Sequence, residues 1–381
     1  MKILQIVSSS RLSGAEKHVA VLSERLLQRG HSITALCPPG GWLPEQLRAA
    51  NVPVLEMPMH GLSTGPTALR LSRIIREQNF DLIHSHLTCA TYYGYLMGLV
   101  TRLPVATSVH VRSRDIVYRR LFPRQRNHII TVSEWVRDGF VTQGVPAEQV
   151  HTIYNGTEFC QDGPAKDSTA AQDEVTTKKL PVRVELNLPP DAELIGIFAR
   201  VGDFKGHPLL VQAARAIIDA RPRAYIVCVG AVEPSARQSL WESAAQSGVA
   251  DRFRFTGPRN DVQHLMSEMD VITLPSKYEA CSMAIIEAMA MGKAVVATRA
   301  GGNPELVRHL ETGLLIEREP EALAKALISL LTDAQQRQRM GDAARLRALD
   351  LFSAETMVSN VEALYHRMVL ATAAPLLSAP R

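Results

Sequence analysis

The sequence lacks any C-x-x-C pair. Its five cysteines, Cys37, Cys89, Cys160, Cys228 and Cys281, are odd in number and far apart. Neither a disulfide framework nor a zinc ribbon is expected from them; the pattern suits reduced thiols in a cytoplasmic compartment. Long apolar runs are missing too. The most apolar one, around Ala90 to Val100, is about half the ~20 residues a membrane span needs. The opening residues Met1-Lys2-Ile3-Leu4-Gln5-Ile6-Val7-Ser8 turn polar before a signal-peptide core could form, so a secreted or membrane-spanning protein is not expected. No G-x-x-x-x-G-K-[ST] occurs and the first glycine turn is not G-x-G-x-x-G, which lowers the ATPase and dehydrogenase readings. There is no D-x-D to coordinate a nucleotide-bound divalent ion. An excess of one charge is absent as well: 42 basic against 38 acidic residues leave +4, too little to argue for nucleic acid.

What is present is an ordinary packed composition, 46% apolar and 21% charged over 381 residues, long enough for two or three domains at ~150 residues each. Short β-branched runs alternate with helix-patterned stretches. Ile3–Val7, Ser32–Leu36, Val54–Met57, Leu82–His84, Val105–Val109 and Ile129–Val132 form a first series. Leu194–Phe198, Tyr225–Val229, Phe253–Phe255, Val271–Leu274, Ala294–Ala297 and Gly313–Ile316 form a second. Such alternation predicts parallel sheets covered by helices on both faces. The expected organisation is a Rossmann-like domain over 1–160, a polar linker over 161–180 and a second Rossmann-like domain over 181–354. A C-terminal helix over 355–372 is expected to return to the first. Ligands of such sheets sit at the carboxyl ends of strands, so a cleft between two facing halves is the working picture.

Four segments carry candidate chemistry. Ser8 to Glu16 follows the first strand and opens a helix, with Gly14 letting the helix start approach an anionic group. His84, His86 and His110 stand at strand ends. A H-x-H pair with a third histidine suits zinc, but no cysteine or carboxylate completes the set, so polar histidines facing a cleft are expected there, with no metal. Arg200 ends a strand and Lys205 precedes the next helix; a guanidinium fork and an ammonium flanking one loop suit a diphosphate. Glu279 and Glu287 bracket the start of an apolar helix that Ser282 would cap. Glu287, flanked by Ile285, Ile286, Ala288 and Met289, needs hydroxyl donors such as a ribose supplies, and the amides beside Ser282, Met283 and Ala284 suit a phosphate. Gly301-Gly302 reads as another turn where backbone approaches a ligand closely.

These residues resemble glycosyltransferase family 4, retaining enzymes of the GT-B fold, over nearly the whole chain. The resemblance rests on Glu279 and Glu287 as E-x7-E, Arg200 and Lys205 as the R…K pair, Gly14, Val132-Ser133, Asn155-Gly156 and Gly301-Gly302 with Glu305. Cys281-Ser282 stands where Phe-Gly is common, and Ala199 where a glycine often precedes the arginine. The resemblance implies an α/β protein of two doubly wound Rossmann-like domains. It implies transfer of a hexosyl or N-acetylhexosaminyl group from a nucleotide diphosphate sugar, with no metal or other cofactor. It would put Arg200 and Lys205 on the diphosphate, Glu287 on the ribose, Glu279 on the sugar, His110 beside that sugar and Gly14 beside the phosphate. The rival readings are a nucleotide-sugar epimerase or hydrolase of the same fold, and a non-catalytic nucleotide-sugar-binding partner.

Between His110 and His128 lie Arg112, Arg114, Arg119, Arg120, Arg124 and Arg126 against one acid, Asp115, interleaved with Ile, Val, Tyr, Leu and Phe. That pattern predicts a surface for a lipid-linked or phosphate-bearing glycan acceptor, or for an anionic membrane. The expected location is cytoplasmic, peripheral at the inner face of the membrane, with no nucleic-acid partner.

Overall fold

The computed structural model describes residues 1–121, 127–158 and 180–373. It divides into two compact units, one of Met1–Gly156 with Leu351–Arg381 and one of Thr157–Asp350.

The first unit is built on a seven-stranded parallel sheet: β1 (Lys2–Val7), β2 (Ser32–Cys37), β3 (Val54–Glu56), β4 (Leu82–His86), β5 (Val105–Val109), β6 (Asn127–Thr131) and β7 (Val150–Thr152). The order is β3-β2-β1-β4-β5-β6-β7, so the chain reverses its direction of growth between β1 and β4. Strand β7 is absent from the expected series because it is three residues long with His151 at its centre, too short for any period to show. On one face, Ile3, Val7, Ile33, Leu82, Ala106 and Ile130 pack with Val19, Leu22 and Leu26 of the helix Gly14–Gln28. The same core takes in Met357, Val358, Val361, Leu364, Tyr365 and Met368 of the helix Ala354–Ala373. Two ties fix that helix: Glu362 meets Arg29 at 2.6 Å and His31 at 2.7 Å. At Gly156 an added Cβ would lie 2.5 Å from the carbonyl oxygen of Ser353. The Asn155-Gly156 pair therefore has a packing reason, letting the two ends of the unit touch.

The second unit has a six-stranded parallel sheet: β8 (Glu193–Phe198), β9 (Ala224–Val229), β10 (Phe253–Gly257), β11 (Val271–Leu274), β12 (Val295–Thr298) and β13 (Gly313–Ile316). Its order is β10-β9-β8-β11-β12-β13, with the reversal between β8 and β11. The apolar runs read from the sequence correspond to all six. Ile195, Ile197, Ile226, Val271 and Val296 pack with Leu210, Ile217, Leu323 and Leu330 into one core, as strands buried on both faces require. No helix among the described residues is long and apolar enough to cross a membrane. Of the expected linker over 161–180, all but Leu180 lies outside the described residues.

Candidate functional site

In a doubly wound sheet the loops leaving the two strands at the reversal point diverge, one to each face, and open a crevice at their carboxyl ends. In the second unit those loops follow β8 and β11, and they carry the candidate donor residues. Arg200 is exposed two residues beyond β8, with no hydrogen-bond or ion-pair partner among the described residues. Asp203–Lys205 makes one 3-10 turn and ends at Gly206, φ +88°, where an added Cβ would lie 2.0 Å from the carbonyl oxygen of Pro275. Glycine at this point lets the β8 loop lie against the chain leaving β11. The result is that Lys205 Nζ donates to Glu279 Oε1 at 2.7 Å, with the two side chains 30% and 9% exposed. Lys277 pairs with Asp203, and the rings of Phe204 and Tyr278 meet edge to face with centroids 4.7 Å apart. Two cations, one partnered and one without a partner, therefore stand on the same loop.

His207, which no sequence signal distinguished, starts the next helix, His207–Ala220. Its Nδ1 lies 3.2 Å from the carbonyl oxygen of Gly202 and its buried Nε2 has no partner among the described residues. Desolvation pushes its pKa down to about 4.

Glu279 and Glu287 lie on either side of the start of the helix Met283–Ala290. Ser282 caps it, accepting from the Ile285 N–H at 3.4 Å. Met283 and Ala284 are half-buried in the first turn, where amides have no acceptor within the helix. Glu287 is half-buried in the second turn, among buried Ile286 and Ala288. The Gly301-Gly302 turn has a packing reason of its own. At Gly301, φ +60°, an added Cβ would lie 2.0 Å from the carbonyl oxygen of Glu279, and the Gly302 N–H donates to that oxygen at 2.7 Å. These glycines seat the backbone of Glu279.

In the first unit the reversal point holds histidines. His86 ends β4 and His110 follows β5. They are joined by His18, from the buried face of the helix Gly14–Gln28. One ring nitrogen from each of His18, His86 and His110 lies within 4.8 Å of the others. His84, read from sequence as paired with His86, is withdrawn: its Nε2 is 2.8 Å from Ser108 Oγ and its Nδ1 bonds the Tyr365 hydroxyl. His18 was missed, although its place between Ala15, Val19 and Leu22 puts it on the buried face of a 3.6-residue period. Desolvation holds His84 and His86 well below the usual histidine value, helped by neighbouring imidazoles. Desolvation also pushes His110 down to about 3 and His18 to about 4, the latter opposed in part by Asn155 beside it. All are neutral near pH 7. Gly14 is exposed at the start of its helix, behind a capping box in which Ser13 accepts from the Ala15 N–H and bonds Glu16.

Of the basic segment, Arg112, Arg114 and Arg119 are exposed. The side chain of Arg120, together with Arg124 and Arg126, lies outside the described residues. Arg112 is held rather than loose: its guanidinium carbon stands 4.9 Å from the centre of the Trp135 ring. The helix Thr88–Thr101 exposes Tyr92, Leu96 and Val100, four residues apart and so on one face, and the Tyr92 hydroxyl donates to Asp115, within the basic segment, at 2.6 Å. Val111 and Ile116 are exposed as well. This apolar stripe was hidden in a run that reads from sequence as uniformly apolar.

Residues 12–159 match the family described as Glycosyltransferase Family 4, and residues 179–347 match Glycosyl transferases group 1. The D-inositol 3-phosphate glycosyltransferase of Corynebacterium glutamicum is 28% identical over 355 residues, covering 84% of this chain and 82% of that protein. The crystal structure of a glycosyltransferase from Rickettsia africae matches with a TM-score of 0.86 at 22% identity, over 97% of this chain and 98% of the other. Anabaena HepE, solved in complex with UDP, matches with a TM-score of 0.82 at 22% identity, over 96% and 100%. Their likeness gives the fold, GT-B.

Proposed function

We propose that this chain, which belongs to the glycosyltransferases with a family 4 domain followed by a group 1 domain, transfers a hexosyl or N-acetylhexosaminyl group from a nucleotide diphosphate sugar with retained anomeric configuration. One observation carries the reading. Arg200 and Lys205 lie on the single loop leaving β8 at the sheet reversal, and Lys205 is held at 2.7 Å by a buried carboxylate, Glu279.

Breaking a sugar–phosphate bond concentrates negative charge on the departing diphosphate. Fixed cations stabilise that charge without reorganising as it develops. Arg200 offers a planar fork and Lys205 a point charge, while the first-turn amides of Met283 and Ala284 in the Met283–Ala290 helix add dipoles of the same sign. Glu287 is the residue for the ribose hydroxyls and Glu279 for the sugar; Gly14 is assigned to the phosphate and His110 to the sugar. The acceptor attacks on the face the diphosphate leaves, which takes up its proton, and no metal or other cofactor takes part.

The acceptor is a phosphate-bearing or lipid-linked glycan presented at an anionic membrane surface. Supporting this are the exposed Arg112, Arg114 and Arg119 and the exposed stripe Tyr92, Leu96 and Val100, whose Tyr92 bonds Asp115 of the basic segment; the Corynebacterium relative is named for a phosphorylated inositol. Arg200→Ala and Lys205→Ala should each lower turnover at saturating donor by at least ~100-fold, the scale of one lost transition-state donor. Product formation from nucleotide-sugar panels measures it. Near wild-type rates in both variants would remove the diphosphate assignment.

A further inference from the structure

We propose that His18, His86 and His110 form a binding site for one divalent transition cation of the zinc type. They are the only three His, Cys, Asp or Glu residues among the described residues whose ligand atoms converge in this way. Their ring centroids lie 5.0 Å apart for His18 and His110, 5.8 Å for His18 and His86 and 6.2 Å for His86 and His110.

The nitrogens that would bind the ion are otherwise unexplained. His18 Nδ1 and Nε2, His86 Nδ1 and His110 Nε2 are buried and have no hydrogen-bond partner among the described residues. One ion would take a single lone pair from each ring and so satisfy three of these four nitrogens, with Asn155 beside His18 for the fourth. A neutral imidazole presents one lone pair, and three of them make a standard zinc set when a fourth position stays open. His110 is half-exposed, which leaves that position to water.

The outer contacts fit as well. Gln5 Oε1 accepts from His86 Nε2 at 2.6 Å. With the proton on Nε2, the lone pair is on Nδ1, the nitrogen left without a partner, and a hydrogen bond of this kind is the usual orientation device behind a metal-bound histidine. His84, 4.0 Å from His86 between centroids, is kept out because both its nitrogens are engaged by Ser108 and Tyr365.

Because His110 is the residue assigned to the sugar, an ion here would inhibit transfer instead of assisting it; this consequence, unlike the binding itself, rests on the proposed function. The site would thus make the enzyme sensitive to free zinc.

The full chain, stripped with EDTA and dialysed, should take up one equivalent of Zn²⁺ in competition with a chromophoric chelator. Co²⁺ in its place should give the visible bands of a four-coordinate, nitrogen-rich site. His264→Asn, remote from the cluster, should bind like the wild type. His18→Asn and His110→Gln should each weaken binding at least ~100-fold, and Gln5→Met about tenfold, with circular dichroism verifying the fold. His110→Gln, at the half-exposed edge, keeps the test decisive if His18→Asn fails to fold. Absence of stoichiometric uptake by the wild type, or equal uptake by a folded His18 or His110 variant, overturns the site. Uptake with transfer unaffected by zinc leaves the site standing and removes His110 from the sugar. No uptake, with Arg200→Ala and Lys205→Ala inactive, does the reverse.

Discussion

Replacing Lys205 by Met separates what its ammonium does for the fold from what it does for the reaction. The methionine keeps most of the stem and removes the charge that faces Glu279 at 2.7 Å. At an effective dielectric near 20, unit charges at that distance attract with about 6 kcal/mol, and desolvation offsets most of it. What the substitution exposes is the penalty of a largely buried carboxylate without its partner, about 1–3 kcal/mol, toward the lower end because Lys205 keeps some solvent contact. In a unit of this size each kcal/mol moves the melting temperature by about 2–4 °C. Lys205→Met should therefore lower the transition of the second unit by several degrees in a calorimetric scan. Glu279→Gln in the same background removes the unpaired charge and should recover at least half of the loss, a coupling of about 1 kcal/mol or more. Activity should not return in the double variant. Additive single effects would mean that the two side chains do not pair, and the account of how Lys205 is held would fall.

Further outcomes follow from other observations. Gly301→Ala places a methyl group against the Glu279 carbonyl at a left-handed φ and should destabilise the second unit by at least about 2 kcal/mol, read as a lowered melting temperature; an unchanged melt would contradict the seating role. The depressed histidines His18, His110, His151 and His207, at about 3 to 4, are neutral when folded and titrate near about 6.5 when unfolded. The unfolded chain then binds more protons below about 6.5, so stability is complete above that value and is lost as pH falls toward about 4. Melting temperatures flat between about pH 7.5 and 5 would refute this. Leu96→Glu, on the exposed stripe, should reduce co-sedimentation with anionic vesicles without changing the melt; equal binding to neutral and anionic vesicles by the wild type would dismiss the membrane surface.

The strands were legible because each lies in a doubly covered sheet, where β-branched runs such as Leu194–Phe198 and Val271–Leu274 have no polar side to interrupt them. Strand β7 and the stripe on Thr88–Thr101 escaped for opposite reasons: one too short to show a period, the other apolar on every side. At the sites, residue type and loop position were readable, but pairing was not. Lys205 and Glu279 are 74 residues apart, and no local pattern announces a contact that Gly206 makes by letting two loops touch. For the same reason the packing of Gly301-Gly302 on the backbone of Glu279 could not be read from the sequence. His84 and His86 looked equivalent by alternation, yet Tyr365, 281 residues after His84, decides which of them keeps an open nitrogen.

That tyrosine belongs to the helix Ala354–Ala373, which supplies one side of the core of a unit begun at Met1. On the ribosome, the sheet from β1 to β7 emerges first and must wait, its face toward Val358, Val361 and Leu364 uncovered, while all of the second unit is made. The second unit, by contrast, is one continuous segment, Thr157–Asp350. A stop placed at residue 350 would leave the first unit without Met357, Val358, Val361, Leu364, Tyr365 and Met368 of its core.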